Sequence, residues 1–214
     1  MTTHSLTLQV SPSIGTVSAE YTVPENAVAI MTLAHGAGAG MHHPFMTELA
    51  LALAHDGIAT LRFNFPFIEN KKKRADMPAI AHKTIEAAIA HAQSAYSSLP
   101  LFAAGKSFGG RMSSQYLSLH PTGIVKGIVF FGFPLHPAGR PSSDRAAHLQ
   151  NVTVPMLFLQ GSRDALATWE LIEEVCASLK QATLVRLEGV DHSMKATKTI
   201  KLIADMTEKW IAEL

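Results

Sequence analysis

The chain has 214 residues, of which 47% are hydrophobic and 16% are charged, and its formal net charge at pH 7 is +1. The length fits one domain spanning residues 1–214, and the composition is that of a globular protein rather than a disordered one. The near-neutral charge gives no indication of a nucleic-acid partner, and a single cysteine, Cys176, excludes an internal disulfide bond.

The N-terminal segment shows no sign of a secretory signal. Residues 1–10 lack a basic start followed by a long apolar core. The longest apolar runs, such as residues 127–133, are far shorter than the roughly 20 residues that span a bilayer. We therefore expect a cytoplasmic protein with no membrane partner, and the lone cysteine agrees with a reducing compartment.

The beginning of the chain predicts two antiparallel strands followed by a buried one. Residues 6–10 and 15–23 alternate apolar and polar side chains, which is typical of half-exposed strands. Residues 28–34 are almost all apolar, which is typical of a strand covered on both faces.

From residue 28 onward, predicted strands alternate with predicted helices. The strands are 28–34, 58–63, 101–104, 124–131, 155–160 and 183–187. The helices are 45–55, 79–96, 109–120, 168–179 and 195–214, and the segments 64–78 and 133–154 are predicted to be irregular. This alternation predicts an α/β fold with a mainly parallel sheet and helices on both faces. Ligands of such sheets bind at the carboxyl ends of the strands.

A serine lies between two glycines where strand 101–104 leads into helix 109–120. Gly105, Ser107 and Gly109 form the pattern Gly-x-Ser-x-Gly. In a nucleophile elbow, a strained turn lifts the serine above the sheet and leaves no room for side chains two residues before and after it. The helix that follows lets the N–H of the next residue, Phe108, face a developing oxyanion. Small residues also fill ordinary strand-to-helix turns, so this pattern alone does not establish a nucleophilic serine. A nucleophilic serine also needs a base, an acid and a second oxyanion donor from other parts of the chain.

A second glycine-rich turn, His-Gly-Ala-Gly-Ala-Gly at residues 35–40, follows strand 28–34. Bare glycines expose backbone N–H groups, which suits an oxyanion or a phosphate. We expect the N–H of Ala37 to be the second oxyanion donor, with that of Gly38 as the near alternative. Gly38 and His43, beside this turn, are also candidate substrate contacts.

Two nucleotide-binding motifs compete with these interpretations, and both fit poorly. A dinucleotide fingerprint would require a third glycine at Met41, and the next strand carries Arg62 rather than an acid near its end. A phosphate loop ending in Lys106-Ser107 would require its first glycine at Pro100.

Two later turns supply an acid and a base. Asp164 follows strand 155–160, where its alternative role is to cap the next helix. His192 lies between the last strand and the last helix, where a general base is needed. The order Ser107, Asp164, His192 is the nucleophile–acid–base order of one hydrolase fold. Asp191 and Asp144 remain rival candidates for the acid.

Together these turns resemble those of the α/β-hydrolase superfamily. The chain is similar to its small, nearly lidless members, which are related to dienelactone hydrolases and acyl-peptide-like esterases. Segments 35–40, 62–66 and 105–109 look closest to a bacterial group of hydrolases akin to an animal testis-expressed protein and to a subunit of the NSL acetyltransferase complex. The resemblance covers nearly the whole chain and implies an α/β-hydrolase fold with a minimal lid or none. Dienelactone hydrolases carry cysteine where this chain has Ser107, so their substrate is not carried over.

The sequence therefore predicts a serine hydrolase that acts on a small-molecule ester or thioester and needs no cofactor. Ser107 would attack the acyl carbonyl, His192 would accept its proton, and Asp164 would orient the imidazole. The alternative is a non-catalytic binding module of the same fold, although a scaffold has no need of three reactive groups at separate turns. The motifs do not separate ester, thioester and amide substrates, and they leave the oligomeric state open.

The remaining candidate residues have plain structural alternatives. Arg62 ends a strand near the expected cleft, where it would bind an anionic substrate group or serve the structure alone. The basic run 71–74 would attract acidic substrates or simply be solvated. His42 and His43 have no third ligand at a recognisable spacing, so no metal site is predicted. Cys176 lies on an apolar helix and is predicted to pack in the core.

Overall fold

The computed structural model describes residues 1–121 and 123–214, and within them eight strands form one sheet. The strands are β1 (Thr2–Ser11), β2 (Gly15–Val23), β3 (Ala29–Ala34), β4 (Ile58–Phe63), β5 (Leu101–Lys106), β6 (Val125–Phe131), β7 (Met156–Gly161) and β8 (Ala182–Leu187). Their spatial order is β1-β2-β4-β3-β5-β6-β7-β8. The pairs β1–β2 and β2–β4 are antiparallel, and the other neighbouring pairs are parallel. The predicted mainly parallel sheet is confirmed.

The two N-terminal strands show how the sequence pattern sets the antiparallel edge. In β2, the alternating residues Val17, Ala19 and Tyr21 are buried, whereas the residues between them are mostly exposed or half-buried. β1 begins at Thr2 rather than at residue 6, and its first four residues are exposed. Backbone pairing with β2 extends the strand beyond the part that alternates.

Helices cover both faces of the sheet, as predicted. They are α1 (Pro44–His55), α2 (Pro66–Glu69), α3 (Pro78–Ala95), α4 (Phe108–Leu119), α5 (Trp169–Ala177) and α6 (Thr197–Ala212). One buried cluster joins α1 and α6 to the sheet, and the other lies against α3, α4 and α5. All six residues of β3 are buried because both faces of this strand are covered. Among the described residues, no helix combines the length and the apolar character needed to cross a membrane.

Two segments predicted to be irregular contain short helices. α2 lies within 64–78, and a 3₁₀-helix at Asp144–Asn151 lies within 133–154. A four-residue helix is too short to show a hydrophobic period, although Pro66 stands at its first position, which proline favours. The segment between β6 and β7 holds this 3₁₀-helix instead of a cap domain, so the expected minimal lid is confirmed.

Candidate active site

Ser107 occupies a strained turn between β5 and α4. Its φ is +51° and its ψ is −114°, a conformation that residues with a side chain rarely adopt. The turn is held at both ends, because its N–H donates to the carbonyl of Phe131 (3.4 Å) and its carbonyl accepts from the N–H of Arg111 (3.1 Å). These are the features expected of a nucleophile elbow.

The two glycines around Ser107 are required by close contacts between main chains. A Cβ atom on Gly105 would lie 2.3 Å from the backbone nitrogen of Gly110. A Cβ on Gly109 would lie 2.4 Å from the carbonyl oxygen of Ala34, at the end of β3. Real Cβ atoms do not approach backbone atoms so closely. The start of α4 can therefore reach the sheet only if both positions lack a side chain.

The structure brings the predicted nucleophile, base and acid together. His192 Nε2 lies 2.8 Å from Ser107 Oγ, and His192 Nδ1 lies 2.7 Å from Asp164 Oδ2. Asp164 also accepts hydrogen bonds from Gln160 Nε2 (2.7 Å) and from the N–H of Leu166 (2.8 Å). An ionised carboxylate only accepts hydrogen bonds, so Nδ1 carries the imidazole proton and Nε2 turns its lone pair towards Ser107.

The two rival acids make other contacts. Asp191 Oδ1 accepts from both the hydroxyl and the N–H of Ser193, and from the N–H of Met194. The bond from the Ser193 hydroxyl is the main cause that lowers the pKa of Asp191 below its ordinary value. Asp144 is exposed and begins the 3₁₀-helix. Of the three candidate carboxylates, Asp164 is the one that contacts His192.

The glycine-rich turn passes directly beside Ser107. A Cβ on Gly36 would lie 3.7 Å from Ser107 Cβ. The Gly36 carbonyl accepts from His35 Nδ1 (2.8 Å) and from the N–H of Ala39 (3.3 Å). Because the peptide is trans, the N–H of Ala37 points the opposite way, away from His35.

Phe108, the other expected oxyanion donor, is the first residue of α4. The first N–H groups of an α-helix have no carbonyl partner within the helix, so they are suited to an external acceptor. The Phe108 ring is buried and contacts the rings of Phe65 and Phe67. The packing of these rings thus holds the first turn of α4 against the segment that follows β4.

A cleft of about 600 Å³ opens beside Ser107, within the size range of small-molecule sites. Its lining includes the predicted residues Ala37, Gly38, His43, Ser107 and His192. His43 caps α1, where its Nδ1 accepts from the N–H of Phe45 (3.3 Å). The other lining residues are Gly36, Ala39, Pro44, Phe45, Met46, Glu48, Lys106, Leu166, Ser193, Lys195 and Ile200. Within residues 1–121 and 123–214, no group of three His, Cys, Asp or Glu side chains is placed to hold a metal ion.

A family model described as the alpha/beta hydrolase domain matches residues 27–212. The chain belongs to this family. That match spans every element from β3 to the end of α6, and it includes the turns that carry Ser107, Asp164 and His192.

Solved structures of hydrolases share the fold of this α/β-hydrolase. A dienelactone hydrolase from Anabaena variabilis superposes with a TM-score of 0.80 at 19% identity, covering 99% of this chain and 97% of that one. A serine hydrolase without a lid from Xanthomonas campestris superposes with a TM-score of 0.76 at 23% identity, covering 97% and 94%. Identities this low establish the fold alone.

A curated relative at the sequence level comes from Mycobacterium tuberculosis and is named as a candidate phosphoribosyl transferase. It is 28% identical over 203 residues, which are 92% of this chain but 44% of that protein. This α/β-hydrolase chain therefore spans less than half of the relative's length.

His35 is a site residue whose role sequence reasoning missed. It is fully buried, and its Nε2 accepts from the N–H of Phe65 (3.0 Å) while its Nδ1 faces the Gly36 carbonyl. Burial lowers the pKa of His35 to about 4, so the ring is neutral at pH 7. The imidazole thus joins the glycine-rich turn to the segment after β4. Only its place directly before the glycines could have drawn attention to it.

Arg62 is the penultimate residue of β4, and it is not among the residues that line the cleft. Its side chain is buried, and Nη1 donates to the carbonyl of Met41 (3.0 Å) and to Thr47 Oγ1 (2.9 Å). Nη2 pairs with Glu20, which lies opposite Arg62 in the register of β2 and β4. Burial lowers the pKa of Arg62, and the neighbouring Glu20 opposes that shift. These contacts fit the structural alternative rather than the predicted substrate contact.

Asn64 also binds the backbone of Met41, the residue that follows the glycine-rich turn. Its Oδ1 accepts from the N–H of Met41 (2.8 Å), and its Nδ2 donates to Glu69 Oε1 (2.8 Å). Glu69 Oε1 in turn accepts from the N–H of Ser18 (2.8 Å) on β2. Since Arg62 binds the Met41 carbonyl, both polar backbone groups of Met41 are fixed. The glycine-rich turn is thus anchored just beyond its last glycine.

Proposed function

We propose that this α/β-hydrolase is a serine hydrolase that cleaves a carboxylic ester or thioester through Ser107, His192 and Asp164. The observation that carries the proposal is the continuous hydrogen-bonded chain from Ser107 Oγ through both imidazole nitrogens to Asp164. The hydrolase family and the hydrolase-like fold support the reaction class.

The contacts support the usual division of roles. His192 Nε2 accepts the hydroxyl proton as Ser107 Oγ attacks the acyl carbon, and the imidazolium then protonates the leaving group. Asp164 is buried and is held by Gln160 and Leu166, so it keeps the imidazole in one tautomer and stabilises its cation. Water then attacks the acyl-enzyme with His192 again acting as the base, and Ser107 regains its proton.

Two backbone N–H groups are suited to stabilise the oxyanion. That of Phe108 lies at the N-terminus of α4, and that of Ala37 lies on the turn beside Ser107. Each such donor typically contributes about 10²–10³ in turnover. The bond from His35 to the Gly36 carbonyl supports this arrangement because it fixes the orientation of the next N–H.

The walls of the cleft favour a small or extended acyl group. The large apolar side chains of the lining are Phe45, Met46, Leu166 and Ile200, and the charged lining residues are Glu48, Lys106 and Lys195. The segment between β6 and β7 supplies no cap domain to enclose a long chain. A series of p-nitrophenyl esters from acetate to octanoate therefore makes a suitable first substrate panel.

The test is labelling by a fluorophosphonate, compared between the native protein and Ser107→Ala, with release of p-nitrophenol followed alongside. We expect the native protein to label and to turn over short esters, and Ser107→Ala to do neither. Ser113→Ala is the matched control, because Ser113 is a buried serine of α4 outside the cleft lining. A native protein that neither labels nor turns over any ester or thioester would refute the proposal and favour a non-catalytic binding module.

A further inference from the structure

Lys106 stands between Gly105 and Ser107, and the proposed reaction leaves its charge without a role. It is the last residue of β5, and its side chain lines the cleft. Its Nζ donates to the backbone carbonyl of His192. The residue that precedes the nucleophile therefore binds the turn that carries the base.

The ammonium group also lies close to the acid. A Cβ on Gly132 would lie 3.1 Å from Lys106 Nζ and 3.5 Å from Asp164 Oδ2, so both groups face the same small space. On another side, Nζ lies 5.7 Å from the centre of the Phe45 ring. The cation is thus enclosed by the His192 turn, the carboxylate of Asp164 and an aromatic ring.

The charge of Lys106 is maintained by its neighbours. Burial lowers the pKa of Lys106 to about 8, and the carboxylates of Asp164 and Asp191 oppose that shift. The ammonium form is therefore the main one at pH 7. The other charged residues of the cleft lining are Glu48 and Lys195.

We propose that Lys106 is a positioning residue: its ammonium group fixes the His192 turn through the backbone carbonyl and so holds the imidazole between Ser107 and Asp164. This inference rests on the proposed function. A hydrogen bond from a charged donor is stronger than one from a neutral donor, so the ammonium group is suited to hold this carbonyl in place.

The test compares Lys106→Met, which removes the bond and the charge, with Lys106→Gln, which keeps an N–H donor without the charge. Lys126→Met is the matched control, because Lys126 Nζ also donates to a backbone carbonyl, that of Gly123 (3.0 Å), but is exposed. The readouts are the NMR signal of the His192 Nδ1 proton, which reports its bond to Asp164, and the rate of fluorophosphonate labelling at Ser107.

We expect Lys106→Met to label about 10–100-fold more slowly at pH 7, as displaced catalytic groups do. In Lys106→Met, the signal of the His192 Nδ1 proton should broaden or move upfield, because its bond to Asp164 loosens when the His192 turn is released, and Lys106→Gln should lie between Lys106→Met and the native protein. Lys126→Met should match the native protein in both readouts.

The inference is overturned if folded Lys106→Met, checked by its melting temperature, gives the same Nδ1 proton signal as Lys126→Met. The two proposals fail in different ways. If the native protein does not label, the hydrolase proposal fails, whereas the Nδ1 proton signal still decides whether Lys106 positions His192.

Discussion

Replacing Asp164 by asparagine removes the carboxylate that orients His192 and barely changes the side-chain volume. One carboxylate oxygen accepts from the N–H of Leu166, and the other accepts from Gln160 Nε2 and His192 Nδ1. An amide has one oxygen and one NH₂ group, so it cannot accept at both places. If its oxygen stays with Leu166, its NH₂ faces Nδ1, and the imidazole proton moves to Nε2, which faces Ser107.

A histidine in that tautomer cannot accept the serine proton. The corresponding change in serine proteases lowers kcat by about 10⁴, which is a rise of about 5 kcal/mol in the activation free energy. We expect a loss of this order for Asp164→Asn in p-nitrophenyl acetate hydrolysis at pH 7, with a parallel loss in fluorophosphonate labelling.

Asp191→Asn is the matched control because Asp191 bonds to Ser193 and Met194 rather than to the imidazole. We expect its activity to stay within a few-fold of the native value. If Asp164→Asn kept more than a tenth of the activity while Asp191→Asn lost most of it, the assignment of Asp164 as the acid would be wrong.

Two further predictions concern stability, both measured by urea denaturation. Gly161→Ala should lower the free energy of unfolding by about 1–3 kcal/mol, because its Cβ would lie 2.3 Å from the carbonyl oxygen of Val190. Gly123→Ala, with open space around it, is the control, and equal stabilities would contradict the argument. Burial lowers the pKa of His35 from 6.5 to about 4, so the unfolded chain binds a proton first as the pH falls. The stability His35 contributes is complete above pH 6.5 and falls by about 3 kcal/mol by pH 4. In His35→Gln, the fall in the free energy of unfolding between pH 6.5 and pH 4 should be smaller by that amount. An unchanged fall would contradict the role given to His35.

The meeting of Ser107, Asp164 and His192 could be predicted because each lies in a turn after a strand. In a parallel sheet, the carboxyl ends of the strands meet at one edge, so chain order alone brought Ser107, Asp164 and His192 together. The sequence could not decide between Asp164 and Asp191, because that choice depends on which carboxylate reaches Nδ1. A contact of this kind is a property of the folded turn.

The supporting contacts could not be predicted because they depend on strand register and loop paths. Arg62 pairs with Glu20 only because β2 and β4 are antiparallel in one particular register. Asn64 binds Met41 because the fold brings together the loop before α1 and the loop after β4. Lys106 was considered only as part of a phosphate loop, and its bond to the His192 carbonyl connects residues far apart in sequence. Neither hydrophobic periodicity nor a sequence motif predicts such pairs.

The main-chain contacts at Gly105 and Gly109 have a consequence for how the protein tolerates mutation. At these points, the main chain at the start of α4 contacts the main chains of β3 and β5 directly. The size of a peptide group is the same for every amino acid. Exchanges among aliphatic and aromatic residues in the core cluster against α3, α4 and α5 would change the packing around α4 but not the size of these peptide groups. The position of Ser107 is thereby insensitive to such exchanges but sensitive to a single added methyl group at either glycine.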